Sequence, residues 1–278
     1  MRTCNQPHQH RSTCHKPFAA QPIIHLNALQ LMLKSLLKKI LGRRQYRLSP
    51  PEDYVIRLRC SVIGEGMLHP GNVYLMEHAI QHMPDGGCVL EIGSYGGLSA
   101  NLLTHLLGKY QRDAALFCCD AWMYEGLHDD QGQATIWMDG RDDVLRTDFM
   151  DYLKTAFIQG ARLLSAHRLP HAIHLDSDTF FAAWVKGETL VDVFERKTRL
   201  GGPIAFAYID GNHAYAYARR DMENAAQHLL PGGYILLDDS AKHQHFGSVQ
   251  LAQEWIKHPD FDVVLDTPHY LVQKKRVG

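Results

Sequence analysis

The sequence of 278 residues predicts an α/β fold, a doubly wound and mostly parallel sheet of seven strands with helices on both faces. Three observations carry that prediction. Short apolar runs alternate with helix-length segments from about residue 66 onward, the order that builds parallel sheets with right-handed crossovers. The first apolar run leads directly into a glycine-rich turn, "EIGSYGG". The last two runs, "FDVVLD" and "HYLVQKK", are separated only by Thr267 and Pro268 and read as an antiparallel hairpin.

The elements follow in order. A helix over about 72–83 precedes the strand "CVLEIG", and a second helix begins near Leu98. "ALFCCDAW" is the next strand. Residues 123–148 are polar, lack periodicity and read as a long loop, a length often used for lids. A helix at about 149–167 leads to the strand "HAIHLDSD", then a helix near 180–196 and the strand "IAFAYIDG". A helix over about 215–229 ends in "LLPGG"; there Leu229 and Leu230 pack while Pro231, Gly232 and Gly233 turn into the strand "YILLDDS". A last helix at about 248–257 precedes the hairpin. This is the order of a Rossmann-like sheet with one reversed strand.

Ahead of it the composition changes. Residues 1–50 hold nine of the 29 Lys and Arg and none of the 30 acidic residues, so a basic arm precedes an acidic body. Residues 1–22 are rich in His, Gln and Pro and are expected to be disordered. In residues 23–50, Leu29, Met32, Leu33, Leu36, Leu37 and Ile40 fall at helical spacing with Lys34, Lys38 and Lys39 elsewhere on the wheel. Such a helix suits an anionic membrane surface through residues 26–44, or packs on the domain or on a second subunit of a homo-oligomer. "SPPED" breaks the chain, and residues 51–278 form the expected catalytic domain.

The six cysteines do not suggest a disulfide framework. Cys88, Cys118 and Cys119 lie in apolar runs as small hydrophobes, and Cys4 and Cys14 sit in the His-rich tail without zinc-site spacing. A reducing cytoplasmic location follows as the default. Basic residues gathered in the arm leave an acidic body, which argues against a nucleic-acid partner.

The glycine-rich turn narrows the ligand. A dinucleotide fingerprint would need glycine where Tyr95 stands. A phosphate loop would need Gly-Lys-Ser/Thr where Gly97, Leu98 and Ser99 stand. What remains is acid-x-Gly-x-x-x-Gly, met by Glu91, Gly93 and Gly97. An acid there repels a pyrophosphate and suits a cationic, amine-bearing ligand.

On these residues the chain resembles the class I S-adenosylmethionine-dependent methyltransferases, over roughly residues 60–275. The resemblance implies that Glu91, Gly93, Ser94, Tyr95, Gly97 and Ser99 surround the methionine and ribose end of S-adenosyl-L-methionine. It makes Asp120 the ligand of the ribose hydroxyls, a role a carboxylate at a strand tip can also fill on chemical grounds. Trp122 becomes a pocket wall, with Tyr95 and Tyr124 as further aromatic candidates, and Asp176, Ser177 or Asp178 lies near the adenine. "YIDGNHAY" followed by "LLPGGYILLDDS" is similar to a subgroup that includes O-methyltransferases of antibiotic sugars and cephalosporin-biosynthesis relatives. In that subgroup Asp210, Asp238 and Asp239 would hold a divalent metal such as Mg²⁺.

The implied activity is metal-assisted O-methylation of a small hydroxylated acceptor, with the metal lowering the hydroxyl pKa. A second reading keeps Asp239 as a cap and Asp210 as a partner of Asn212. The metal reading is preferred because three acids at adjacent strand tips would otherwise repel one another. His213, beside Asp210, and His243 and His245, in the loop after Asp239, are the candidate bases. The alternative for the whole chain is a cofactor-binding protein without methylating activity, docked through its basic helix.

Overall fold

The computed structural model describes residues 66–123, 135–138 and 141–276, all within one unit, Pro51–Gly278. The basic arm, the expected helix at 26–44, Tyr124 and much of the 123–148 loop lie outside the described residues.

The elements are α1 (Pro70–His82), β1 (Cys88–Ile92), α2 (Leu98–Lys109), β2 (Leu116–Asp120), β3 (Thr135–Met138), β4 (Arg141–Leu145), α3 (Arg146–Leu164), β5 (His171–His174), α4 (Ser177–Lys186), β6 (Thr189–Val191), β7 (Lys197–Arg199), β8 (Ile204–Ile209), α5 (Tyr215–His228), β9 (Leu229–Leu237), α6 (Gly247–Trp255), β10 (Phe261–Asp266) and β11 (Tyr270–Lys274). Seven strands form one sheet in the order β10-β11-β9-β8-β1-β2-β5. All neighbours are parallel except β11, which runs antiparallel to both β9 and β10. The chain winds outward from β1 in both directions, so the topological switch point lies between β1 and β8.

Strand alternation sorts the core into two layers. Val89, Cys118, Phe206 and Tyr208 face α1, α2 and α3, where Leu75, Leu103 and Phe157 meet them. Leu90, Cys119, Ala207 and Ile209 face Phe180 of α4, Met222 of α5 and Leu251 of α6. Every residue of β8 is buried, as a central parallel strand covered on both faces requires.

Three expectations are corrected. The 123–148 segment carries an antiparallel strand pair, β3 with β4, and α3 starts at Arg146 rather than about 149. The β-branched and aromatic content of "TIWM", followed by Asp139-Gly140, is a hairpin signal within an otherwise polar stretch. The helix near 180–196 ends at Lys186, because Gly187 takes a left-handed conformation at its C-cap. Residues 189–199 then form the small β6–β7 hairpin. The strand after "LLPGG" starts earlier than expected, at Leu229, with a register break before Tyr234. Among the described residues, no helix is long and apolar enough to cross a membrane.

Candidate active site

The carboxyl ends of β1, β2, β8 and β9 converge on one edge of the sheet. After β1 the backbone folds tightly against β8: a side chain on Gly93 would place its Cβ 2.0 Å from the Asp210 carbonyl oxygen. Gly93 also has a φ of 87°, open to glycine. The turn closes around Asp120. Its Oδ2 accepts from Ser94 N at 2.7 Å and Tyr95 N at 2.8 Å, and its Oδ1 accepts from Trp122 N at 2.6 Å. Burial raises the Asp120 carboxyl, and these three backbone donors oppose that rise.

Glu91 is fully buried beneath the same turn. Its Oε2 accepts from the Ser94 hydroxyl at 2.6 Å, while Oε1 has no hydrogen-bond partner. Burial raises this carboxyl, with Ser94, Ser99 and Cys118 pulling in the opposite direction. Trp122 is a brace in the core: its indole donates to the Tyr95 carbonyl at 3.0 Å and its ring packs edge-on against Phe157. Gly97 caps the N-terminus of α2 in the left-handed region. Tyr95, Trp122 and Asp239 also take positive φ, at 46°, 41° and 47°. Backbone strain thus gathers in three loops at one sheet edge.

The segment after β5 behaves differently. Asp176 is the N-cap of α4, accepting from Thr179 N at 2.8 Å and Thr179 Oγ1 at 2.7 Å. Those bonds lower its carboxyl. Asp178 is exposed and pairs with Arg220 at 3.0 Å. Ser177 is half-buried and lies near Asp221, a buried residue the sequence reading did not select.

Beyond β8 and β9 the acids gather. Tyr208 places its hydroxyl 2.8 Å from Asp210 Oδ2 and 2.6 Å from Asp238 Oδ2. One hydroxyl proton cannot serve two carboxylates, so the pair must share another. Burial and the neighbouring Asp238 raise Asp210 well above the carboxylate range. Burial would raise Asp238 too, but His269, Tyr208 and Asp210 hold it well below that range. Asp238 is buried and committed: Oδ1 accepts from Asn72 Nδ2 at 2.8 Å, from Asp239 N at 2.8 Å, and contacts His269 Nδ1. Asp239 is a quarter exposed; its Oδ1 accepts from Gln244 at 2.5 Å and its Oδ2 lies 3.2 Å from His213 Nε2.

His213 also comes within 4.0 Å of Asp210 Oδ1, bridging the two loops. His243 and His245 are exposed in the turn after Asp239, and among the described residues neither comes within ion-pair distance of these acids. Asp238, Asp239 and His269 offer donor atoms within 4.8 Å of one another; Asp210 stands outside that set.

A family model described as a methyltransferase domain matches residues 90–240, from within β1 to just past Asp239. The chain belongs to this methyltransferase family. It is accordingly a class I S-adenosylmethionine-dependent methyltransferase. The fold agrees with that of a solved methyltransferase. PaMTH1, a methyltransferase of Podospora anserina solved with S-adenosylhomocysteine, is 13% identical over 94% of this chain and 100% of its own, at a TM-score of 0.51. CalS11, a calicheamicin methyltransferase, is 15% identical over 95% of this chain and 99% of its own, at 0.47. The O-methyltransferase NovP is 16% identical over 89% and 99%, at 0.45. No curated protein sequence matches the chain.

In this methyltransferase Gly93 and Gly97 fit protein against protein: added side chains would meet the Asp210 backbone and the Phe157 ring. Of the residues gathered at this edge, the sequence reading named Asp210, His213, Asp238 and Asp239 and did not name Asn72, Tyr208 or His269. Asn72 and His269 are brought in by α1 and by the β10–β11 turn, far along the chain from the strand tips they support.

Proposed function

We propose that the chain transfers the methyl group of S-adenosylmethionine to a hydroxyl of a small acceptor, a sugar, glycoside or related natural product. The observation that carries this reading is the Asp210–Tyr208–Asp238 arrangement with His213 against Asp239. It concentrates acids at a sheet edge next to the turn that receives the cofactor.

The residues fit a divalent cation. Asp210 and Asp238 need a shared proton to coexist, and the buried His269 Nε2 has no partner. A cation there would offset the charge of these acids, with Asp238 and Asp239 as hard oxygen donors, His269 as the nitrogen of the same set and Asp210 beside it. Bound there, it would supply the positive charge that lowers the pKa of the acceptor hydroxyl.

The chain's own residues do the rest. Asp120 and the Ser94–Tyr95 backbone present the ribose site, and Glu91 lies behind it as a buried acid suited to the donor's cationic end. His213 takes the acceptor proton, and Asp239, 3.2 Å away, steadies the imidazolium. When bound, S-adenosylmethionine would supply the methyl group, its carbon–sulfur bond breaking as the acceptor oxygen bonds to the methyl carbon. Alignment of donor and acceptor supplies much of the acceleration, about 7–11 kcal/mol in well-oriented systems.

The test is product mass spectrometry with S-adenosylmethionine and a panel of hydroxylated acceptors, with and without chelator. A methylated product that disappears on chelation while S-adenosylhomocysteine still binds supports the reading. Methylation at nitrogen or carbon, or turnover indifferent to chelator, would overturn it.

A further inference from the structure

The loops after β8 and β9 carry His213 and Asp239, and the start of α6 holds both. Ser248, the second residue of that helix, is fully buried. Its backbone N–H donates to the His213 carbonyl at 3.1 Å, and its hydroxyl donates to the Asp239 carbonyl at 2.6 Å. One residue thus joins the main chains on either side of the His213–Asp239 pair. Gly247 lets the helix come this close, since a Cβ there would lie 2.1 Å from Tyr215 N. Phe246 sets its ring 5.2 Å from the His213 ring.

The Asp239 side chain is fixed from the same segment. Ala241 N donates to Gln244 Oε1 at 3.0 Å, and a backbone N–H can only donate. That bond settles which end of the amide is which, so Gln244 Nε2 donates to Asp239 Oδ1 at 2.5 Å. Asp239 Oδ2 is left for His213 Nε2 at 3.2 Å. A carboxylate accepts and does not donate, so Nε2 carries the imidazole hydrogen and Nδ1 the lone pair. Asp239 keeps this arrangement at a φ of 47°, a conformation that persists where its surroundings over-determine it. Its N–H donates to Asp238 Oδ1, its carbonyl accepts from Ser248 and its carboxylate accepts from Gln244.

We infer that Ser248, together with Gln244, is a positioning residue for methyl transfer: it joins the two loops so that Asp239 holds the His213 ring with its lone pair on Nδ1. The inference rests on the reading that His213 takes the acceptor proton. That proton passes to Nδ1, and the imidazolium keeps its Nε2–H on Asp239. Without the Ser248 hydroxyl, the Asp239 carbonyl is released and its backbone can leave the left-handed region, which carries the carboxylate away from the ring.

The experiment compares Ser248→Ala, Gln244→Leu and His213→Gln in the full chain. Ser248→Ala keeps the N–H bond to His213 and removes only the hydroxyl. With an acceptor from the mass-spectrometry panel, it is expected to lower kcat by about 10- to 100-fold. The calorimetric Kd for S-adenosylhomocysteine should stay within about twofold. In a His213→Gln background the same change should cost less than about twofold, because it acts through His213. Nitrogen NMR needs no acceptor: the His213 signal, assigned by its absence in His213→Gln, is read at a pH alkaline enough to keep the ring neutral. The parent should show the Nε2–H form, and Ser248→Ala and Gln244→Leu should each show a mixture of the two tautomers. A merely structural Ser248 would lower the Tm and leave the tautomer as it was. Losses that multiply in the double variant, or an unchanged His213 signal in both Ser248→Ala and Gln244→Leu, overturn the inference. A His213→Gln protein that turns over like the parent overturns His213 as the base instead, and the tautomer would still respond to Ser248, which separates the two failures.

Discussion

The side-chain amide of Asn72, in α1, donates to Asp238 Oδ1 at 2.8 Å across 166 residues of sequence, and both groups are buried. The same amide's oxygen lies 2.9 Å from His269 Nδ1. Asn72 therefore ties the first described helix to two of the residues that would face a cation. Replacing it with alanine strips a donor from a buried carboxylate and a partner from a buried imidazole. The expected cost is about 2–3 kcal/mol of stability, read by urea denaturation, together with weaker divalent-ion stabilisation of the protein. A variant as stable as the parent would show that Asp238 does not depend on this bond.

Gly71 makes that tie possible. A methyl group on Gly71 would lie 1.6 Å from the carbonyl oxygen of Thr267, a backbone atom in the turn that delivers His269. Neither segment can yield locally, because α1 is packed along Leu75, Met76, Ala79 and Ile80 and Thr267 is hydrogen-bonded to His269. Gly71→Ala should destabilise the fold by about 1–3 kcal/mol or more through overpacking. Thermal unfolding is the measurement, and a Tm within about a degree of the parent would refute the close approach.

The contrast between these two residues and the strand-tip aspartates shows where the sequence was legible. Asp120, Asp210, Asp238 and Asp239 end apolar runs, so a local pattern announces both their strand and their position at its tip. The two core layers were legible for the same reason, since strands such as "IAFAYI" are apolar throughout. Asn72, Tyr208 and His269 have no such marker. Their roles come from partners brought near by the sheet order, and a single buried Asn within "PGNVYLMEH" looks like any polar residue on a helix face. Asp221 is hidden still better, because "ARRDMEN" reads as a solvated surface. The over-long helix near 180–196 failed differently: Gly187 was an available stop signal, and its left-handed conformation ends α4 where it stands.

His213 is the one histidine among the described residues placed against both loops of acids, 3.2 Å from Asp239 and 4.0 Å from Asp210. As the proton acceptor it should matter for turnover and little for cofactor affinity. His213→Gln is expected to lower kcat by about 100- to 10,000-fold while the Kd for S-adenosylhomocysteine stays within about twofold. The equivalent changes at His243 and His245, both exposed, should leave kcat near that of the parent. Steady-state kinetics with an identified acceptor decide the matter, and a larger loss at His243 or His245 would move the base to that turn.

Asp221 also leaves a signature in stability. Its carboxyl has an ordinary value of 3.8 when unfolded and is pushed up to about 7 by burial in the folded chain. Between those values the folded state holds a proton that the unfolded state has lost. Protonation of this group therefore supports the fold fully below about pH 4, and that support drains away as pH rises through about 7. The full swing corresponds to about 4 kcal/mol at 1.36 kcal/mol per unit, an upper figure for one buried group. Asp221→Asn cannot ionise, so its stability should be nearly flat over this window relative to the parent. The difference between the two proteins should grow in favour of the variant as pH rises from about 5 to about 8, measured by urea midpoints at matched ionic strength. If the parent instead gains on the variant over that range, Asp221 is stabilised as an anion, and a donor must reach its Oδ1.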